Sequence, residues 1–136
     1  MTTEDKMLLI KDLSCRLPYG VHVQHVTTQF SGSLSDIISY PLYDKNDNIH
    51  DIYAVTNFFG DGDYVYLEYF KPYLFPLSSM SEEQSKEYHE LIVGMFETSA
   101  LINFEVLEDF FHKNHFDYRG LIEKGLAIDA TNKKIY

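Results

Sequence analysis

The sequence predicts an α+β fold: an N-terminal helix, a four-stranded and mainly antiparallel sheet, and two to three C-terminal helices. Three observations predict it. Apolar residues recur at helical spacing near the start and again in the last third, whereas residues 20–70 alternate with the period of two that a half-buried strand requires. The strand patterns form one block and the helix patterns form others, which separates α+β from an alternating α/β arrangement. Hydrophobic residues make up 45% of the 136-residue chain, and eleven Tyr with ten Phe supply bulky core pieces. A chain of this length folds as one domain, residues 1–136. Its parts are a helix at 3–16, a sheet region at 20–70 and a helical region at 81–125.

The stretch TTEDKMLLIKDLSCRLPYG opens the chain. Thr2 or Thr3 is suited to cap a helix, and Glu4 and Asp5 suit its positive end. Met7, Ile10 and Leu13 recur at three-residue steps, and Leu9, Leu13 and Leu17 at four. Pro18 disfavours helix at Leu17, so the helix ends near Arg16, and Tyr19-Gly20 turns the chain. VHVQHVTTQF reads as the first strand. Val21 and Val23 share one face, and Val26, Thr28 and Phe30 take the other parity, which predicts a bulge or bend near Gln24-His25. SGS breaks it. DIISYPLY is the second strand, placed at an edge by Pro41. DKNDN is a turn, IHDIYAVTNFF the third strand, GDGD a tight turn and YVYLEYF the fourth strand. The parity switch also permits the sheet to curl into a small barrel.

KPYLFPLSSM is an extended two-proline connector. Ser81 and Gln84 then form a capping box for a helix whose Tyr88, Leu91, Ile92 and Met95 share a face and which ends before Ser99. A further helix runs from about Phe104 to Lys113, capped by Asn103. Phe104, Leu107, Phe110 and Phe111 form its apolar stripe, and Glu105, Glu108, Asp109 and His112 its wet side. The sheet is expected to lay one face against these C-terminal helices.

The net charge is −10 and the pI is near 4.8. A dispersed polyanion repels nucleic-acid backbone, so direct nucleic-acid binding is not expected. Cys15 is the single cysteine, which excludes an intrachain disulfide and fits a reducing, cytoplasmic setting. The run Met7 to Ile10 is far too short for a signal-peptide core or a membrane span, so no membrane association is expected.

Several groupings have the residue types of a site. Glu108, His112 and His115 approach the helical spacing of zinc ligands, although Asn114 is expected to end the helix before His115, and a histidine in a last helical turn already suits the dipole. His22 and His25 are an odd number apart and point to opposite faces of a regular strand. DKNDNI starts like a calcium loop, but Ile49 stands where Gly is needed and Val55 where Glu is needed. Asp61 and Asp63 flank Gly62 as turn residues do. Cys15 beside Arg16 reads as a partly buried core residue. No nucleophile, phosphate-loop or zinc-protease motif is present, and no cofactor or metal is implied. Glu83, Glu87 and Glu90 line one helix face as an anionic ridge that is either solvated or suited to a basic partner.

The stretch KNHFDYRGLIEKGLAID begins at Lys113. Asp117 is suited to cap a short helix YRGLIEK, and Gly125 to end it, with Leu126 making the hydrophobic contact of a Schellman motif. A glycine inside a short helix, as Gly120 would be, costs about 1 kcal/mol relative to Ala, which calls for close packing of another backbone over it. Arg119 is suited to pair with a carboxylate or stack on an aromatic ring. Asp117, Tyr118 and Arg119 are therefore candidate partner-binding residues, together with Glu83, Glu87 and Glu90.

LLIKDLSCRLPYGV, FKPYLFPLSSMSEEQ and NHFDYRGLIEKGLAI together resemble a family of short uncharacterised proteins from gut bacteria and their phages or other mobile elements. Members read K-D-L-x-x-R-L-P-Y-G-V, K-P-Y-L-R-P-M-S-S-M-T-E-E-E and H-F-D-Y-R-G-L-I-E-K-G-L-A in that order. Here Phe75 replaces Arg, Leu77 replaces Met and Ser81 replaces Thr. The Arg-to-Phe change weakens any anion contact at that position. The resemblance implies a small protein acting on host machinery, with no activity attached. The sequence thus points away from an enzyme and toward a non-enzymatic protein-interaction or regulatory module that binds a protein partner or forms a homo-oligomer, with recognition carried by residues 24–68. The alternatives are an acidic nucleic-acid mimic that inhibits a host defence or transcription protein, and a small enzyme built on Glu108, His112 and His115.

Overall fold

The computed structural model describes residues 1–41, 50–60, 62–97 and 100–136. Its fold is α+β: an N-terminal helix, a mixed sheet and C-terminal helices. Helix α1 (Thr3–Arg16) satisfies its first amides from its own sequence. Thr2 Oγ1 accepts from the Asp5 amide at 3.1 Å, and the Thr2 amide donates to Asp5 Oδ2 at 3.4 Å, closing a capping box. At Pro18 the helix tightens into a 3-10 turn, Leu17–Tyr19, and Gly20 with φ +82° redirects the chain. The buried stripe is Leu9, Asp12, Leu13 and Arg16, whereas Met7 is 60% exposed. Two charged residues thus occupy the face expected to be apolar.

Among the described residues the sheet has seven strands rather than four: β1 (Val21–His25), β2 (Ser31–Pro41), β3 (His50–Thr56), β4 (Asp63–Tyr66), β5 (Phe70–Pro76), β6 (Phe116–Asp117) and β7 (Ile128–Asp129). The order is β4-β3-β2-β1-β5-β6, with β7 also paired to β5. β1 to β4 form an antiparallel meander, and β5 is antiparallel to β1 but parallel to β6 and β7.

Several sequence expectations fail here, each for a physical reason. β1 carries no bulge at Gln24-His25 but bends there. It stops at His25 and enters a loop closed by the Gln29 amide donating to His25 O at 2.9 Å and the His25 amide donating to Phe30 O at 2.8 Å. The imidazole Nδ1 of His25 accepts from the Thr27 and Thr28 amides, and Gln29 takes φ +60°. A side chain thus supplies the turn chemistry that no glycine announces. SGS does not break a strand but begins β2. Gly32 lies where a Cβ would meet Asn57 Oδ1 at 2.6 Å and Phe58 Cδ1 at 3.0 Å, so it serves close approach. Pro41 does not make β2 an edge strand. β2 lies between β1 and β3, but β1 pairs only with its residues 31–34, and Pro41 sits in the portion paired to β3. The bulge lies in β2 instead, between Leu34 and Asp36. The DKNDN turn lies outside the described residues.

YVYLEYF is two strands. A 3-10 turn at Leu67–Tyr69 separates β4 from β5. Val65 and Leu67 are both buried, so Leu67 keeps the parity of β4 into the turn and imitates a continued strand. β4 and β5 are four strand spacings apart in the sheet order, about 19 Å if the sheet were flat. The link from Tyr66 to Phe70 spans at most about 14 Å. The sheet is therefore strongly coiled, but no ladder among the described residues joins β4 to β6, and the barrel does not close.

Two clusters form the core. In the larger, Leu9 and Leu13 of α1 pack on Val21, Val23, Ala54, Val65 and Leu74 from the sheet, with Leu121, Leu126 and Ala127 from the C-terminal segment. In the smaller, Leu107, Phe110, Phe111 and Phe116 pack with Tyr88, Leu91 and Ile92. The sheet face is thus covered by α1 and residues 121–127, and the C-terminal helices pack beside it at β5 and β6 rather than across it. α2 (Glu82–Glu97) begins with the expected capping box: the Gln84 amide donates to Ser81 Oγ at 3.1 Å and the Ser81 amide to Gln84 Oε1 at 2.9 Å. α3 (Ala100–Lys113) starts before the expected Asn103 cap. Phe104 is exposed, and His112, assigned above to the wet side, is 4% exposed.

No helix follows Asp117. Its carboxylate accepts from the Leu121 and Ile122 amides, each at 2.9 Å, and Gly120 between them has φ +77°, which breaks right-handed helix. The Schellman pair is present on this turn alone: the Leu126 amide donates to Leu121 O at 2.9 Å and the Gly125 amide to Ile122 O at 3.0 Å. A Cβ on Gly120 would meet nothing within 4 Å. The glycine therefore serves backbone conformation, not the close packing expected from sequence.

Candidate functional site

The residues common to the first and last sequence blocks meet in one buried ionic knot. Asp12 and Arg16 stand one turn apart on α1, and both are 0% exposed. Arg16 Nε donates to Asp12 Oδ2 at 2.7 Å, and its Nη2 donates to Asp12 Oδ1 at 3.1 Å and to the Phe116 carbonyl at 2.6 Å. Arg119 brings a second guanidinium, with Nε 3.3 Å from Asp12 Oδ1. That N–H is not aimed at the oxygen, and it and Arg16 Nη1 are buried without a hydrogen-bond partner. Both guanidiniums face the Tyr118 ring, at 5.6 Å for Arg16 and 4.8 Å for Arg119. Arg119 Nη2 donates to the Tyr118 hydroxyl at 2.9 Å, which shares a second hydrogen bond of 2.8 Å with His112 Nε2. Burial, helped by the Arg16 charge, holds the His112 pKa below its ordinary value, and burial raises that of Tyr118. The knot ties α1, α3 and β6 together. The middle block joins through β5, whose Phe75 pairs with Phe116.

The other sequence candidates separate. Among the described residues no group of three His, Cys, Asp or Glu side chains is placed to hold a metal. His112 is bound to Tyr118, whereas His115 takes φ +59° beyond α3 and stacks on Tyr136 with centroids 3.5 Å apart. Burial lowers the His115 pKa to about 4, with help from the Arg16 and His22 charges. His22 stands edge-on to Tyr136, and His25 joins Phe58 and Phe59. Asp61 lies outside the described residues, and Asp63 Oδ2 accepts from the Phe59 amide. Cys15 is exposed rather than part of the core, because Arg16 turns inward in its place. Glu83, Glu87 and Glu90 are all exposed on α2, and Glu87 is bridged by Lys113 at 3.2 Å. Of the other three candidates, Asp117 holds the closing turn, and Tyr118 and Arg119 belong to the knot.

Sequence reasoning passed over a second grouping, a belt of aromatic rings on the coiled sheet. Phe30 and Phe59 meet with centroids 5.9 Å apart, and Phe59 meets His25 at 5.6 Å. His25 stacks with Tyr69 at 6.3 Å, Tyr69 meets Tyr66 at 6.1 Å, and Tyr66 meets Tyr53 at 4.7 Å. Phe59 is 60% exposed, Phe30 53% and Tyr69 49%. Such rings are normally a core's first choice, and a contiguous exposed run of them marks a contact surface. The signal was available in YVYLEYF: Tyr64 and Tyr66 share parity with Glu68, and that parity faces solvent while Val65 and Leu67 face the core. No protein-family model, curated protein or solved structure matches the chain. Among the described residues no helix is long and apolar enough to cross a membrane.

Proposed function

We propose that this protein is a non-enzymatic protein-interaction module that recognises a protein partner through the aromatic belt, with the terminal blocks as its scaffold. The observation that carries the reading is the continuity of exposed rings from Phe30 through Phe59 to Tyr69 and Tyr66. Tyr and Phe are enriched at the centres of interfaces, where they bury much area at small entropic cost. The belt falls almost wholly within residues 24–68, where recognition was expected, whereas Asp12 and Arg16 of the first block and Tyr118 and Arg119 of the last are directed inward to the knot. The sequence resemblance supplies the context: a cytoplasmic accessory or regulatory protein of a phage or mobile element. The test is affinity capture from a host lysate with wild type and with a Phe30→Ala, Phe59→Ala, Tyr69→Ala variant. A specific partner held by wild type and lost by a variant of unchanged melting temperature supports the reading. Undiminished capture by the variant overturns it.

A second reading, the acidic mimic of nucleic acid, is favoured by the exposure of Glu83, Glu87 and Glu90 along α2. Changing all three to Gln should then abolish a salt-sensitive association with a basic partner, and unaltered binding sinks the mimic.

A further inference from the structure

We infer that the aromatic belt takes an arginine-bearing, cationic segment of its protein partner, an inference that rests on the interaction-module reading above. Two independent features of the belt point to this chemistry. The first is the pairing of ring and carboxylate. Asp63 is held against the Phe59 backbone by accepting its amide, and Glu68 stands between Tyr66 and Tyr69 in the turn that joins β4 to β5. Asp63 thus adjoins Phe59 through its backbone, and Glu68 adjoins Tyr69 along the chain. A guanidinium is planar and weakly hydrated. It can lie flat on an aromatic face while its edge N–H groups reach a neighbouring carboxylate, which an ammonium cannot do with the same economy of geometry. The protein already uses this pairing internally, where Arg119 lies over Tyr118 beside Asp12.

The second feature is charge. The chain carries a net charge of −10, and Asp63 and Glu68 place two of its acids at the belt. A belt in that field attracts a cationic segment and repels an anionic one. It also disfavours a second copy docking belt to belt, because a two-fold contact sets like charge against like. Glu68 is occupied by Lys6 in an exposed ion pair, which water and salt make weak and exchangeable. The incoming arginine takes the place of Lys6 there.

The test measures binding of fluorescent peptides to the full chain by anisotropy at roughly 0.1 M salt. Arg-Gly, Lys-Gly and Glu-Gly repeats of equal length serve as probes. The Arg-Gly peptide should bind most tightly, the Lys-Gly peptide several-fold more weakly, and the Glu-Gly peptide not at all. The Phe59→Ala, Tyr69→Ala variant should weaken Arg-Gly binding about tenfold. Tyr69→Leu, which keeps apolar area but removes the ring face, should also weaken it. Glu68→Gln should weaken it and flatten its salt dependence, and the Gln variant of Glu83, Glu87 and Glu90 should not change it. Equal binding of Arg-Gly and Lys-Gly peptides, indifferent to the ring variants, would mean attraction by net charge alone and overturn the inference. Absence of Arg-Gly binding would overturn it too, while a lysate partner that still needed the rings would leave the interaction-module reading standing.

Discussion

Asp12 lies wholly buried between two guanidiniums, Arg16 and Arg119. A buried pair is weak support for stability when compared with an apolar core, yet removing one member leaves the other charge unsolvated. Here the asymmetry is larger than usual, because one carboxylate answers two cations and Arg16 Nη1 already has no partner. Asp12→Ala should therefore destabilise the fold by about 3–5 kcal/mol, read as a lower midpoint in urea unfolding. The double change Asp12→Leu, Arg16→Met should recover part of that loss, since it removes one pair together and keeps apolar volume while leaving Arg119 without its carboxylate. If Asp12→Ala lost less than about 1 kcal/mol, the value of an exposed pair, the two guanidiniums would have to find water or other acids, and the knot would not hold α1 to β6.

At the scale of elements, the segment after α3 shows how one residue's backbone decides between helix and turn. Asp117 offers both carboxylate oxygens to the amides four and five residues on, and Gly120 with φ +77° makes that reach possible. Gly120→Ala meets no steric neighbour, but it forces an L side chain into the left-handed region. It should cost about 1–2 kcal/mol, with Gly120→Asn costing less because Asn tolerates that region. Thermal melts of the two variants check the order, and an Ala variant as stable as wild type would show that the turn has another conformation open to it. Caps and stops were legible in the sequence at this scale. The cap at Thr2, the box at Ser81, the stop at Pro18 and the Schellman pair at Gly125 all follow from side chains acting on nearby backbone. What was not legible depends on distant contacts. Nothing local distinguishes YVYLEYF as one strand from a strand, a 3-10 turn and a second strand, because Leu67 keeps the alternation through the break. The two-residue strands β6 and β7 exist only because β5 lies beside them. The knot was half legible: Asp12 and Arg16 share the stripe of Leu9 and Leu13 at helical spacing, but Arg119 completes it from across the chain. The run of exposed rings was not legible as residues, since which parity faces solvent is decided by α1 covering the other face.

For the whole molecule, the titration of the histidines near the knot links pH to stability. Burial holds the His115 pKa at about 4 against an ordinary 6.5, and lowers that of His112 in the same direction. The unfolded chain therefore binds protons between those two values that the folded chain refuses. By linkage, stability is full above pH 6.5, declines as pH falls through the window, and stops declining on this account below about 4. An opposite trend runs alongside, because the net charge of −10 relaxes as carboxylates protonate and self-repulsion fades. His115→Asn separates the two. Asn accepts the φ of +59° at this position and carries no titrating group, so the acid-side charge relaxation remains and the histidine contribution disappears. The wild-type unfolding free energy should fall more steeply than the variant's between pH 6.5 and 4.5, by about 1–2 kcal/mol after allowing for the solvent that screens a half-buried ring. A proton NMR titration of the His115 ring gives the same answer directly, with a midpoint near 4 expected. Parallel stability curves together with a midpoint near 6.5 would mean that the ring is open to water and that the stack on Tyr136 does not close over it. Parallel curves with a depressed midpoint would instead place the compensation in the unfolded chain. His115 sits where α3, β5 and Tyr136 meet, placed by the hydrogen bond from the Phe75 amide to its carbonyl and by the ring stack above it.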